Sequence, residues 1–280
     1  MSSLKKKILA IGPALVGLVA TVIVGAVLAN HLMPHAGALD TSGTLTADHQ
    51  LVLTAVGDSL THGVGDTTGQ GGYVPLIAQD IKVETGMTVT TSNFGVTGDT
   101  SLQIKKRVLT DHKLIKQLKR ADVITMTVGG NDLMHLLQSN LLDINTKDVT
   151  KGINKFQTHL KQLVAAIRAD NPNAPLYVFG IYNPFYVYFP NVTKMQTSVQ
   201  RWNNQTQKTI GKMKNVYYVD IDSVLTKGDG TSSASATDAS KAVNRLIYGK
   251  DHFHPNNAGY ERMTSQLWDV MKQSEENWEE

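Results

Sequence analysis

Gln50-Leu-Val-Leu-Thr-Ala-Val-Gly-Asp-Ser-Leu60 reads as a buried strand followed by the turn that leaves it. Gln50 to Val56 is a short apolar run, and Gly57 closes it. The chain beyond supplies partners for such a strand. Helical spacing recurs over Tyr73–Glu84, Ser101–Leu118, Val149–Ala169, Met195–Lys212 and Asn257–Met271. Between these lie strand-like runs at Met87–Phe94, Val123–Val128, Leu176–Phe179 and Val216–Ile221. Five strands alternating with helices predict an α/β domain built on a parallel sheet with helices on both faces. In open sheets of this kind ligands bind beyond the carboxyl ends of the strands. Chemistry is therefore expected in the segments that follow strands.

Four segments qualify. In Gly57-Asp58-Ser59-Leu60 a serine stands at a strand exit, where its hydroxyl can project above the sheet. Such a hydroxyl is a weak nucleophile until a base takes its proton; Ser59 could equally serve as a helix N-cap. The elbow Gly-x-Ser-x-Gly is not matched, because Thr61 occupies its last position. Asp251-His252-Phe253-His254-Pro255 offers a base with an acceptor to hold its tautomer, or alternatively a pair of metal ligands. Gly129-Gly130-Asn131-Asp132 offers an amide that can donate to a developing oxyanion, or an ordinary turn. Asn93-Phe94-Gly95-Val96-Thr97-Gly98-Asp99-Thr100 offers the Gly98 N–H to the same oxyanion, or a plain connection with Asp99 or Thr100 as cap. Asp58 and Asp132, beside these positions, are expected to cap and fix loops. His62 is expected to face solvent.

Composition narrows the function. The chain has 280 residues, 41% hydrophobic and 18% charged, and no cysteine, which excludes disulfides, thiolate metal sites and a cysteine nucleophile. Of 27 Lys+Arg, three are Lys5, Lys6 and Lys7; without them the remaining 24 balance the 24 Asp+Glu. A neutral body lacks the basic footprint of a nucleic-acid binder. The same lysines precede Ile8–Ala29, 22 residues without a charge. As a helix this segment spans about 33 Å, enough for a bilayer core. Residues 1–30 are therefore expected to be a membrane anchor with the body outside, or a signal segment cleaved near Ala29. Residues 31–49 read as a linker, and 50–280 as the folded domain. Within it Lys227–Lys241, full of Gly, Ser, Thr, Ala and Asp, reads as a surface loop or lid.

Serine, glycine, asparagine and Asp-x-x-His occur in one chain order, and together they resemble the SGNH hydrolases, the GDSL esterase/lipase family. The resemblance rests on Gly57-Asp58-Ser59-Leu60, on Gly98 within Val96-Thr97-Gly98-Asp99-Thr100, on Gly129-Gly130-Asn131-Asp132 and on Asp251-x-x-His254. It covers residues 50–272 and is greatest for exported, membrane-tethered members of Gram-positive bacteria. It implies a flavodoxin-like three-layer α/β/α sandwich with a five-stranded parallel sheet. It also implies Ser59 as nucleophile, His254 as base and Asp251 as its orienting acid. The oxyanion hole would be the N–H groups of Ser59 and Gly98 and the Asn131 side chain. No cofactor or metal is required by that chemistry.

The substrate is less legible. Tyr182-Asn-Pro-Phe-Tyr-Val-Tyr-Phe-Pro190 follows the fourth strand with five aromatics in nine residues. Tyr182, Phe185 and Tyr186 are the candidate substrate contacts, against the alternative of loop packing. The expected function is a cell-surface serine esterase/lipase acting on carboxylic esters. An O-acetyl esterase of glycans, an acyltransferase and a non-catalytic binding module stand as alternatives. Oligomeric state is left open.

Overall fold

The computed structural model describes residues 50–139, 146–229 and 243–279. The expected anchor at Ile8–Ala29, the 31–49 linker and most of the Lys227–Lys241 loop lie outside them. Among the described residues no helix is long and apolar enough to cross a membrane.

Five parallel strands form one sheet in the order β2-β1-β3-β4-β5. They are β1 (Gln50–Gly57), β2 (Thr88–Gly95), β3 (Val123–Thr127), β4 (Leu176–Phe179) and β5 (Val216–Val219). Alternation of side chains along each strand feeds two separate cores. Val56, Ile124, Met126, Leu176, Val178 and Val216 face one layer. Leu51, Leu53, Ala55, Val123, Tyr177, Phe179 and Val219 face the other. Every residue of β3 and β4 is buried, including Thr125 and Thr127 of β3. Burying each such side chain contributes about 1.5–3 kcal/mol.

The helices divide accordingly. After β1 come α1 (Ser59–His62) and α2 (Tyr73–Thr85), and α2 packs on the second core through Tyr73, Val74, Ile77 and Ile81. The first core is covered by α3 (Ser101–Thr110), α4 (His112–Leu118), α5 (Gly130–Ser139), α6 (Thr146–Asp170) and α7 (Thr193–Ile210). After β5, α8 (Asp222–Leu225) and α9 (Asn257–Lys272) return to the second core. A 3₁₀ turn at Glu275–Asn277 ends the described chain.

Strand order reverses between β1 and β3, so the connections leaving these two strands diverge to opposite faces. That divergence opens a crevice at their carboxyl ends. Ser59 follows β1 there, and Asn131 follows β3.

Three local expectations are corrected. The single helix expected over Ser101–Leu118 breaks at Asp111, whose extended backbone and carboxylate cap α4 through the N–H groups of Lys113 and Leu114. The Gly-Gly-Asn-Asp stretch is no turn, because Gly130 opens α5. The strand expected over Val216–Ile221 stops at Val219, and the Asp220 carboxylate accepts the N–H groups of Asp222 and Ser223 at the start of α8.

Candidate active site

The first turn after β1 sets the serine. A Cβ at Gly57 would collide with Thr127 and the Thr61 hydroxyl, so glycine is required for the close approach of β1 to β3. Asp58, not Ser59, is the N-cap of α1, its carboxylate accepting the Leu60 N–H at 3.0 Å. The Thr127 hydroxyl donates to the same carboxylate at 2.7 Å. Burial raises the Asp58 carboxyl above its ordinary value, against the pull of those hydrogen bonds and of nearby His254. With the cap supplied by its neighbour, Ser59 keeps its hydroxyl for another partner.

That partner is His254, 195 residues away in sequence. Its Nε2 lies 2.9 Å from Ser59 Oγ, and its Nδ1 lies 2.8 Å from Asp251 Oδ2. The other oxygen of Asp251 accepts the N–H groups of Phe253 at 2.9 Å and His254 at 3.1 Å, folding the loop around the carboxylate. Partial burial opposes the charge on Asp251, but the His254 side chain and these two N–H groups outweigh it. The carboxyl is held below its ordinary value. An ionised Asp251 fixes the proton on Nδ1 and leaves Nε2 as an acceptor for the Ser59 hydroxyl.

The oxyanion flank is built differently. Gly98 adopts φ +85°, the left-handed region that glycine accepts without strain, and its N–H has no acceptor among the described residues. Asn131 donates one amide hydrogen to the Asp99 carbonyl at 2.9 Å, which leaves the second for another acceptor. Asp132 receives both the N–H and the hydroxyl of Ser101, at 2.8 and 2.6 Å. Arg107 binds the Asp99 carboxylate at 2.6 Å, the Phe94 carbonyl at 2.9 Å and the Gly57 carbonyl at 2.8 Å. One guanidinium thus ties the exits of β1 and β2 to the Gly98 loop. Nothing in the sequence pattern singles out Arg107.

A narrow cavity of about 50 Å³ opens beside Ser59. Its lining is mostly apolar, with Leu60, Leu133, Met134, Met195 and Val199 beside the aromatic Tyr182, Phe185 and Phe253, and it includes Asn131. The cavity therefore takes in Tyr182 and Phe185 of the aromatic segment. Tyr186 is not among the lining residues. Gly98 also lies outside the lining. Phe253, Met134, Met195 and Val199 were missed. Of these, only Phe253 had a signal, its place inside Asp-x-x-His.

The two histidines of the motif do not converge as metal ligands would. His252 Nδ1 meets the Tyr188 hydroxyl at 3.2 Å, while both nitrogens of His254 are engaged by Ser59 and Asp251. Among the described residues no group of three His, Asp or Glu is placed to hold a metal ion. His62 is exposed, its ring beside the Gly95 carbonyl.

Residues 55–262 match the model of the GDSL-like Lipase/Acylhydrolase family. An uncharacterised Bacillus subtilis protein, YpmR, is 31% identical over 230 residues, which is 82% of this chain and 84% of that protein. The spore germination lipase LipC of Bacillus licheniformis is 24% identical, over 78% of this chain and 94% of that protein. Among solved structures, the lipase Lip_vut3 from a goat rumen metagenome has a TM-score of 0.65 at 23% identity, covering 79% of this chain and 97% of that one. With its family model, sheet order and strand-exit serine in agreement, the chain belongs to the GDSL-like lipase/acylhydrolase family and is an ester-hydrolysing enzyme.

Proposed function

We propose that the chain is a serine esterase that cleaves carboxylic esters of short apolar acyl groups through an acyl-enzyme on Ser59. The carrying observation is the line Asp251–His254–Ser59, with contacts of 2.8 and 2.9 Å, at the mouth of an apolar cavity. His254 Nε2 takes the Ser59 proton as Oγ attacks the ester carbonyl, and the imidazolium formed is stabilised by Asp251. The oxyanion is received by the N–H groups of Ser59 and Gly98 and by the free hydrogen of the Asn131 amide. His254 then returns its proton to the leaving alcohol. Water, deprotonated by the same nitrogen, releases the acid.

The cavity argues for the acyl side of the substrate. The cavity is small, about 50 Å³, and its walls are mostly apolar, which favours a short acyl tail over a sugar ring. Its lining of Leu, Ile, Val, Met and Phe rewards methylene groups, each by about 0.8 kcal/mol when buried. The charge-free run Ile8–Ala29 behind three lysines supports placing the domain on the outer face of the cell membrane.

Hydrolysis of p-nitrophenyl esters from acetyl to palmitoyl, with Ser59→Ala in parallel, tests this reading. The expected result is Ser59-dependent turnover with kcat/KM greatest near four to six carbons. Equal turnover in Ser59→Ala refutes the mechanism, and an optimum at palmitoyl refutes the short-acyl assignment.

A further inference from the structure

We infer that Tyr182 is a positioning residue whose hydroxyl holds the Phe253 carbonyl and thereby sets His254 against Ser59. The inference rests on the reading of His254 as the base. His254 stands among bends in the segment just before α9, in no strand or helix, with the neighbouring Pro255 in an isolated bridge to Ile247. One residue of that segment, His252, has φ +54°, a left-handed backbone that a histidine keeps only under constraint. The Asp251 carboxylate folds the loop upon itself but does not tie it to the sheet.

Tyr182 makes that tie. It lies three residues beyond β4, and its hydroxyl donates to the Phe253 carbonyl, in the peptide that joins Phe253 to His254. Ring contacts continue the connection. Phe185 backs Phe253 with ring centroids 6.0 Å apart, and Phe253 meets the His254 imidazole edge-on at 4.9 Å and 81°. A rigid strand end therefore reaches the imidazole through one hydrogen bond and two ring contacts. The aromatic segment is as much a brace for the base as a wall of the cavity. Burial pushes the Tyr182 phenol well above its ordinary value, so it remains a donor at any working pH.

The test compares Tyr182→Phe with Tyr177→Phe in the full chain. Tyr177 offers a matched loss, because its buried hydroxyl bonds Ser274 at 2.7 Å, a contact outside the site. A fluorophosphonate counts reactive Ser59 per chain and gives a labelling rate. Turnover of p-nitrophenyl butyrate is then expressed per titrated site, which removes any unfolded fraction. Tyr182→Phe is expected to lower kcat per site and the labelling rate together by about 10–100-fold, with KM within about twofold, as displacement of a reacting group by less than 1 Å would. Tyr177→Phe is expected to lower the unfolding temperature while leaving both rates at the parent value. Parental kcat per site in Tyr182→Phe, or a loss confined to KM, overturns the inference. A parent protein that neither turns over nor labels at Ser59 overturns the esterase reading and this inference with it.

Discussion

The two flanks of Ser59 are held by different physics. On the base flank, His254 is fixed by hydrogen bonds at the protein surface and by aromatic contacts, and Asp251 is partly exposed. On the oxyanion flank, Asn131 and the Gly98 loop are bolted by Arg107, Asp99, Asp132 and Ser101, through an ion pair and part-buried hydrogen bonds. A base must accept a proton and hand it on, so it sits where water and the leaving group reach it. Oxyanion donors do no more than hold still, and a preorganised, water-poor frame makes each donor count for more. The comparison predicts that the base flank fails in chemistry and the oxyanion flank fails in geometry and stability.

The largest effect is expected from the base flank. His254→Ala should lower kcat by something on the order of 10⁶, matching Ser59→Ala, because nucleophile and base act as a unit. The double variant should be no worse than either single one, as steady-state kinetics would show. Additive losses would mean that His254 acts elsewhere.

Asn131→Ala should come next, with kcat down by about 10²–10³ and KM little changed. Its fluorophosphonate labelling should slow in proportion, since the same donors receive the phosphoryl oxygen. An unchanged kcat would remove Asn131 from the oxyanion hole.

Arg107→Ala separates the flanks by a different readout. Loss of its partner leaves the Asp99 carboxylate unpaired and mostly buried, at a cost of about 3 kcal/mol in denaturant unfolding. Turnover per titrated site should fall about tenfold through the displaced Gly98 loop, whereas Ser59→Ala should unfold like the parent. A variant as stable as the parent would show that the guanidinium is not what holds this flank together.

The smallest effect concerns the turn at Gly63–Gly72, which is joined to the start of α9, just after the base loop, by the Thr67 N–H on the Asn257 side chain and the Tyr260 hydroxyl on the Val64 carbonyl. Asp66 caps this turn. Partial burial opposes its charge, but the Thr68 hydroxyl and the N–H groups of Gly72, Thr68 and Gly71 lower its carboxyl from 3.8 to about 2. A depressed carboxyl stabilises the fold fully above its unfolded value and loses that contribution as pH falls through the folded one. Asp66→Asn should therefore be less stable than the parent at pH 7, and the gap should close between about pH 4 and pH 2 in acid titration of unfolding. A gap independent of pH would mean that the charge on Asp66 contributes nothing.

Much of this was legible in the sequence for identifiable reasons. The strands announce themselves because both faces are buried, so β3 and β4 are short runs of apolar, β-branched and aromatic residues with no charge. Ser59, Asp251 and His254 are legible because short-range spacing carries them: a serine at a strand exit and an acid three residues before a histidine. What spacing does not carry is invisible. Arg107 draws its importance from three acceptors, two at the exits of β1 and β2 and one in the Gly98 loop, and no local pattern marks it. The break at Asp111 turns on a carboxylate choosing backbone N–H groups over continued helix, which an apolar period running through it conceals. Tyr182 was legible as an aromatic past a strand end, but its bond to Phe253, 71 residues on, belongs to the fold alone.

The central claim is that Ser59, activated by His254, is the nucleophile of this esterase. The most direct measurement is intact mass after reaction with a fluorophosphonate, followed by peptide mapping and ester turnover on the same sample. One adduct per chain is expected, on Ser59, with turnover lost in step with labelling and both abolished in His254→Ala. Turnover that persists on fully labelled protein, or an adduct on any other residue, contradicts the central claim.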